Sequence, residues 1–258
     1  MVVRAQTMVL LRHGQSAANA ADSFSGWLDV PLTDRGRQEA ARAGELLAEH
    51  GLLPDTVHTS VLIRSIETAQ IVLTTLNRPW PPTHRSWRLN ERHYGALQGR
   101  PRATVRREVG DEIFARWRRS YAAAPPPLPA EDPSNPRTDP YYAAVSADQL
   151  PLTESLADVR ARVLPYWHDV LIPELRAGRA PLVVAHGNTL RALRMHLDQL
   201  GAEQIRSVNV PTGVPLRYDL DERWRPVVPG GSYLDAAAAA RRIAEELAQG
   251  AGGAINPA

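Results

Sequence analysis

The chain has 258 residues, 43% of them hydrophobic and 22% charged, with a formal net charge of +2. This is globular composition, long enough for a large core, and its balance of charge does not call for nucleic acid. Cysteine is absent, which excludes disulfides, thiolate catalysis and cysteine-ligated metals. All 30 basic residues other than histidine are arginine, so any anion site must be built from Arg or His. No stretch approaches 18 apolar residues, and the N-terminus lacks a signal-like apolar region. The expectation is a soluble cytoplasmic protein with no membrane partner.

In chain order, Thr7–Leu11 is an apolar run that predicts a buried strand, ended by Arg12-His13-Gly14. Thr33 is placed to cap a helix from Asp34 to His50, stopped by Gly51. A short strand is predicted at Asp55–Thr59. Leu62, Ile66, Ala69, Leu73 and Leu76 recur at helical spacing and predict a helix over 61–76. Pro79, Pro81 and Pro82 end it, and a strand is predicted at His84–Arg88. Residues 103–121 read as a helix with Ile113, Phe114 and Trp117 on one side.

A proline-rich excursion follows at about 124–151. Long segments of this kind inside compact domains serve as lids or binding loops, with disorder as the competing reading. Helix is predicted again from about 153 to 177, bent by Pro165 and Pro173. Pro181–Ala185 is a second apolar strand, ended by His186-Gly187-Asn188, and Asn188 is placed to cap a helix to Leu200. Strands at 214–220 and 224–228, an Ala-rich helix from Asp235 to Gln249, and a flexible tail after about 249 complete the chain. Alternating strands and helices predict a single α/β domain over 1–258. Its expected form is a three-layer α/β/α sandwich on a largely parallel sheet. Ligands of such sheets bind outside the carboxyl ends of strands, where His13 and His186 both fall.

Imidazole is a nucleophile at neutral pH without a change of charge, so His13 is a candidate nucleophile. Arg12 beside it offers a guanidinium that pairs with phosphoryl oxygens, and Gly14 would let backbone approach an anion. Alternatively, each histidine is a satisfied strand-end residue. No His-x-x-x-His or carboxylate–His cluster accompanies them, so no metal is expected. Arg64, near a helix start, is either an anion ligand or one half of a surface pair with Glu67. Glu91 is the single carboxylate in the polar and aromatic string 87–95, suited to proton exchange or to pairing with Arg88 and Arg92. Arg118 and Arg119 either clamp an anion or form a solvated helix face.

Six strings carry a family resemblance. They are Leu11-Arg12-His13-Gly14, residues 85–99 with Trp117-Arg118-Arg119, residues 150–156, His186-Gly187-Asn188, and residues 211–216. With these in family order, the chain closely resembles the cofactor-dependent phosphoglycerate mutases of the histidine phosphatase superfamily, across about residues 7–249. The resemblance implies a phosphoglycerate mutase-like fold. It also implies interconversion of 3-phosphoglycerate and 2-phosphoglycerate through a phosphohistidine at His13, primed by 2,3-bisphosphoglycerate. Arg12, Arg64 and His186 would hold the moving phosphoryl oxygens, and Glu91 would exchange the proton of the reacting hydroxyl. Asn19, Ser25, Gly26, Arg92, Tyr94, Arg102, Arg118, Arg119, Gly187 and Asn188 fall at substrate-binding positions. The excursion and the C-terminal tail are candidate covers that exclude water, and a homodimer or homotetramer is implied.

The chain also departs from the family pattern. Gln15 stands where Glu is usual, Ala18 where Trp commonly precedes the Asn, Ser25 where Thr is usual, and Arg102 where Lys is expected. The tail lacks the usual lysines. These changes keep open a phosphohydrolase, or a mutase acting on another phosphate ester. A non-catalytic protein that kept the fold is the third reading.

Overall fold

A computed structural model describes residues 6–250. The elements are β1 (Gln6–Arg12), α1 (Ala17–Ala20), α2 (Asp34–Glu49), β2 (Thr56–Thr59), α3 (Ile63–Thr75) and β3 (Thr83–Arg85). Then follow α4 (Arg102–Arg119), α5 (Leu156–Tyr166), α6 (Ile172–Arg176), β4 (Pro181–Ala185) and α7 (Gly187–Leu197). The last are β5 (Leu216–Leu220), β6 (Ser232–Tyr233) and α8 (Ala236–Gly250). The N-terminal reading over residues 1–5 and the expected flexible tail beyond 250 lie outside the described residues.

The strands form one sheet in the order β3-β2-β4-β1-β5-β6. The pairs β3–β2, β2–β4 and β4–β1 are parallel, while β5 and β6 attach antiparallel. The central strands are buried on both faces, which is why Met8–Leu11 and Leu182–Ala185 are unbroken apolar runs. Alternation assigns their side chains to two layers. Met8, Leu10, Val183 and Ala185 pack with the α5–α7 side, and Val9, Leu11, Leu182 and Val184 with α2 and α3. Among the described residues no helix is long and apolar enough to cross a membrane.

Register sets the site. Arg12 lies opposite Ala185, and the His13 N–H donates to the Ala185 carbonyl at 3.0 Å. The next residue on each strand is a histidine, so the two rings leave the sheet side by side.

Several elements differ from the sequence expectation. The predicted strand at 84–88 is Thr83–Arg85, all exposed, and Trp87–Leu89 turn as a 3₁₀ helix capped by Ser86. Helix α4 is broken at Gly110, whose φ of 80° no helix contains. The predicted helix over 153–177 contains a π turn at Trp167–Leu171, between Pro165 and Pro173. No strand forms at 224–228, because Trp224 takes a φ of 61° and prolines flank the valines; Pro226 makes only an isolated bridge to Leu220. Asn188 does not cap α7. His186 takes the cap position and Asn188 lies in the first turn. The short α1 was not anticipated and rests on a capping box between Ser16 and Asn19.

The proline-rich excursion is packed rather than loose. Leu128, Tyr142 and Leu150 are buried, and Tyr142 stacks near Trp27 with ring centroids 5.0 Å apart. The Leu128 N–H donates to the Leu152 carbonyl at 2.8 Å.

Candidate active site

His13 and His186 meet edge to face, with ring centroids 4.9 Å apart. Both are buried. His13 Nδ1 lies 2.7 Å from the carbonyl of Gly14, an acceptor only, so Nδ1 carries the proton and Nε2 keeps its lone pair. Gly14 is needed for a different reason from the one expected. A Cβ there would overlap the Gly36 carbonyl of α2, so the glycine admits a helix rather than an anion. Arg64 is fully buried and donates to the carbonyls of Gly26 and Leu28 at 2.8 and 2.9 Å. It does not pair with Glu67, which binds Arg37 at 2.7 Å.

These guanidiniums set the charge of the site. Burial, then Arg64 and Arg12, hold His13 well below the ordinary histidine pKa. Burial, Arg64 and His13 do the same to His186. Arg64 itself is lowered to about 10 by burial and stays charged at neutral pH. Two neutral imidazoles therefore sit among cations, one of them offering a lone pair.

This arrangement has a cost in acid. Burial also lowers His58, and lowers His93 to about 3. Each folded pKa lies below the unfolded value of about 6.5, so the unfolded chain binds more protons as pH falls through that value. Stability is then lost with falling pH, by up to about 1.4 kcal/mol per pH unit for each such histidine. Thermal unfolding followed by circular dichroism is expected to show Tm falling steadily from pH 7 to pH 5. A flat Tm across that range would contradict neutral burial.

A cavity of about 140 Å³ opens above His13. Glu91 lines it and is 8% exposed. Its Oε1 accepts the N–H groups of Arg92 and Asn188 at 2.7 and 3.2 Å, which leaves Oε2 without a partner among the described residues. Arg162 holds this stretch by donating to the carbonyls of Arg88, Asn90 and Glu91, and it pairs with Glu154 at 2.7 Å. The strings 85–99 and 150–156 are thus two halves of one support.

On the far wall, Asn188 donates to the Tyr94 hydroxyl at 2.9 Å and accepts from Arg191 at 2.8 Å. Burial raises the Tyr94 pKa, but Arg92, Arg102 and Arg118 outweigh it and leave the phenol below its ordinary value. Arg102 pairs with Asp22, and Arg119 donates to Asn209. Arg118 stacks over Phe114 and has no ion pair among the described residues; burial and Arg102 lower it to about 10.

The mouth is closed partly by α8. Arg12 pairs with Glu246 at 2.7 Å, Arg35 with Glu245 at 3.3 Å, and Arg242 donates to the Thr212 carbonyl. The Glu246 carboxylate occupies one terminal nitrogen of Arg12 and leaves its Nε without a partner among the described residues.

Residues 8–228 match the histidine phosphatase superfamily (branch 1). The chain is 55% identical over 244 residues to a 2,3-bisphosphoglycerate-dependent phosphoglycerate mutase from Rhodococcus jostii (strain RHA1), covering 95% of this chain and 96% of that protein. It is 54% identical over 246 residues to the protein of that name from Mycobacterium tuberculosis (strain ATCC 25618 / H37Rv), covering 95% and 98%. The chain belongs to the 2,3-bisphosphoglycerate-dependent phosphoglycerate mutases of the histidine phosphatase superfamily. Solved structures share the fold at lower identity. A mycobacterial glucosyl-3-phosphoglycerate phosphatase aligns with a TM-score of 0.68 at 26% identity, over 88% of this chain and 100% of that one. Bacillus stearothermophilus YhfR aligns at 0.66 and 25%, over 88% and 98%.

Against the mutase pattern, Arg12, His13, Asn19, Ser25, Glu91, Tyr94, Arg102, Arg118, Arg119, Gly187 and Asn188 all line the cavity. His186 packs against His13 without lining the cavity, and Arg64 is buried near enough to act electrostatically on both rings. Two expected ligands do not reach it. Arg92 is fully buried behind the wall, 4.4 Å over the Tyr94 ring and donating to the Trp117 carbonyl. Gly26 faces Arg64 through its carbonyl. No residue of the 124–151 excursion lines the cavity. That segment supports the wall from outside, and the cover comes from α8.

The sequence reading missed Arg35, Glu39, Arg191, Asn209, Arg242, Glu245 and Glu246 at the cavity. Only Arg191 carried a local signal, one turn after Asn188 on the same helix. Gln15, in place of the family's Glu, accepts from Thr33 through its side chain, while its N–H donates to Glu39 at 2.8 Å. A buried carboxylate therefore remains beside the cavity, supplied from α2.

Proposed function

We propose that this chain interconverts 3-phosphoglycerate and 2-phosphoglycerate through a phosphohistidine at His13. The observation that carries this reading is the His13 Nε2 lone pair, fixed by the Gly14 carbonyl and facing a cationic cavity with Glu91 on its wall. The 54–55% identity to mutases of that name supports it. The donor set also fits a bisphosphorylated primer. Arg12 Nε, Arg64 Nε and His186 Nδ1 are buried without partners among the described residues, and phosphoryl oxygens would satisfy all three.

When bound, 2,3-bisphosphoglycerate supplies the phosphoryl group that primes His13. Nε2 would form the N–P bond as a P–O bond of the donor breaks and a monophosphoglycerate leaves; it would then pass the group to the free 2-hydroxyl of 3-phosphoglycerate and take back the 3-phosphoryl group of the resulting bisphosphate, releasing 2-phosphoglycerate. Arg12, Arg64 and His186 neutralise the charge that spreads over the three equatorial oxygens. Glu91 Oε2 takes the proton of the attacking hydroxyl and gives it to the leaving one. Arg102, Arg118 and Arg119 bind the substrate carboxylate and distal phosphate, oriented with Tyr94 and Asn188. Helix α8 excludes water from the phosphohistidine, so transfer to glycerate outruns hydrolysis. The same reading has one domain acting in the cytoplasm as a homodimer or homotetramer.

An enolase-coupled assay tests this reading. Turnover of 3-phosphoglycerate is expected after priming with 2,3-bisphosphoglycerate and is expected to survive EDTA, because guanidiniums supply the positive charge. Release of free phosphate faster than isomerisation would replace the mutase with a phosphohydrolase. Failure of His13 to take up phosphate from a bisphosphorylated donor would leave a binding protein.

A further inference from the structure

We propose that Ser60 is a positioning residue for the transfer: its hydroxyl donates to Nε2 of His186 and holds that ring as the Nδ1–H tautomer, which presents an N–H to a phosphoryl oxygen. The inference rests on the phosphoryl-transfer reading above.

Ser60 follows β2, and His186 follows β4. The parallel register that sets Thr59 opposite Val184 brings the two strand exits together. Both residues are fully buried. Ser60 Oγ lies 2.7 Å from His186 Nε2 and accepts the Leu62 N–H at 3.2 Å. The strand exit is pinned as well: Ser65 Oγ accepts the Ser60 N–H and donates to the Val184 carbonyl at 2.6 Å.

A hydroxyl has one proton to give and two lone pairs to receive with. Ser60 Oγ has no further hydrogen-bond partner among the described residues, so its proton goes to Nε2. The opposite choice, Nε2–H donating to the hydroxyl, would strand the serine proton in a buried site. A neutral imidazole carries one N–H, and accepting at Nε2 puts it on Nδ1. That atom is buried and has no partner among the described residues.

Control of the tautomer matters because His186 is neutral and cannot donate from both nitrogens. The wrong tautomer would turn a lone pair toward an anionic oxygen. The neighbouring ring is set by the same logic in the same tautomer, with the other nitrogen left unpaired. The Gly14 carbonyl fixes His13 as Nδ1–H and leaves Nε2 as the nucleophile. Two strand-end histidines in one tautomer thus offer one lone pair and one donor.

The test is long-range proton–nitrogen NMR on the full chain labelled at histidine, with the ring assigned by its loss in His186→Gln. In the unsubstituted protein His186 is expected to show a protonated Nδ1 and a bare Nε2. In Ser60→Ala that pattern is expected to be lost, with kcat down about tenfold, roughly one hydrogen bond, and KM little changed. Ser60→Thr, which keeps the hydroxyl, is expected to restore both. A protonated Nε2 on His186 in the unsubstituted protein would overturn the proposal, as would an unaltered tautomer in Ser60→Ala. The first of these needs no variant, so a poorly folding Ser60→Ala does not shield the proposal. Phosphoryl uptake at His13 from 2,3-bisphosphoglycerate is measured alongside by mass. If uptake fails while His186 shows Nδ1–H, the functional reading falls and the tautomer assignment stands.

Discussion

Replacing His13 with asparagine is expected to lower kcat/KM in the primed mutase assay by about 10,000-fold or more, the scale seen when a nucleophile is removed. It is also expected to abolish the mass increase of one phosphoryl group on exposure to 2,3-bisphosphoglycerate. Asparagine is the informative choice because its amide nitrogen can keep the hydrogen bond that His13 makes to the Gly14 carbonyl at 2.7 Å. What it lacks is a lone pair able to accept phosphorus. The ring that is lost is buried, neutral and surrounded by guanidiniums, so its removal takes little from stability. Tm at pH 7 is expected to move by no more than about 2–4 °C, equivalent to about 1 kcal/mol in a chain of this size. A variant that still takes up phosphate with a normal Tm would move the nucleophile elsewhere, and His186 is the neighbour that would then carry it.

The parts of this site that the sequence made legible are those encoded locally. Two continuous apolar runs each end in a histidine, and parallel register at the sheet centre then forces the pair together. Arg118 and Arg119 were ambiguous alone, because charges at a helix end look the same in solvent or in a cavity. The illegible parts depend on contacts between distant segments. Glu246 meets Arg12 across 234 residues, and an Ala-rich helix with scattered charges gives no sign that its acidic face closes a pocket. The excursion misled for a related reason. Its prolines signal irregular backbone, but whether such backbone covers a cavity or braces its wall depends on where Tyr142 and Leu150 find apolar partners, namely Trp27 and Trp87. Ser60 had no motif at all. Its meaning appears only once β2 and β4 are adjacent.

Arg64 shows how far the site depends on shape as well as charge, and Arg64→Lys is expected to lower kcat/KM by about 100- to 1,000-fold, the cost of removing a well-aimed donor to transition-state charge. The substitution keeps the cation. It loses the planar fork, which donates to the Gly26 and Leu28 carbonyls while Nε stays unpaired for a ligand. An ammonium on a flexible stem cannot span two backbone carbonyls and an incoming oxyanion together. It is also more strongly hydrated, and the position has no solvent access. Burial already lowers the guanidinium to about 10. An amine, with its lower intrinsic pKa, would be pressed toward neutrality at the same place. The loss is therefore expected to fall mainly on kcat and to ease as pH is lowered and the amine regains its proton, whereas the parent enzyme shows no such recovery. Steady-state kinetics from pH 8 to pH 6 read this directly. A variant within tenfold of the parent, or one with no pH-dependent recovery, would show that charge alone suffices at this position.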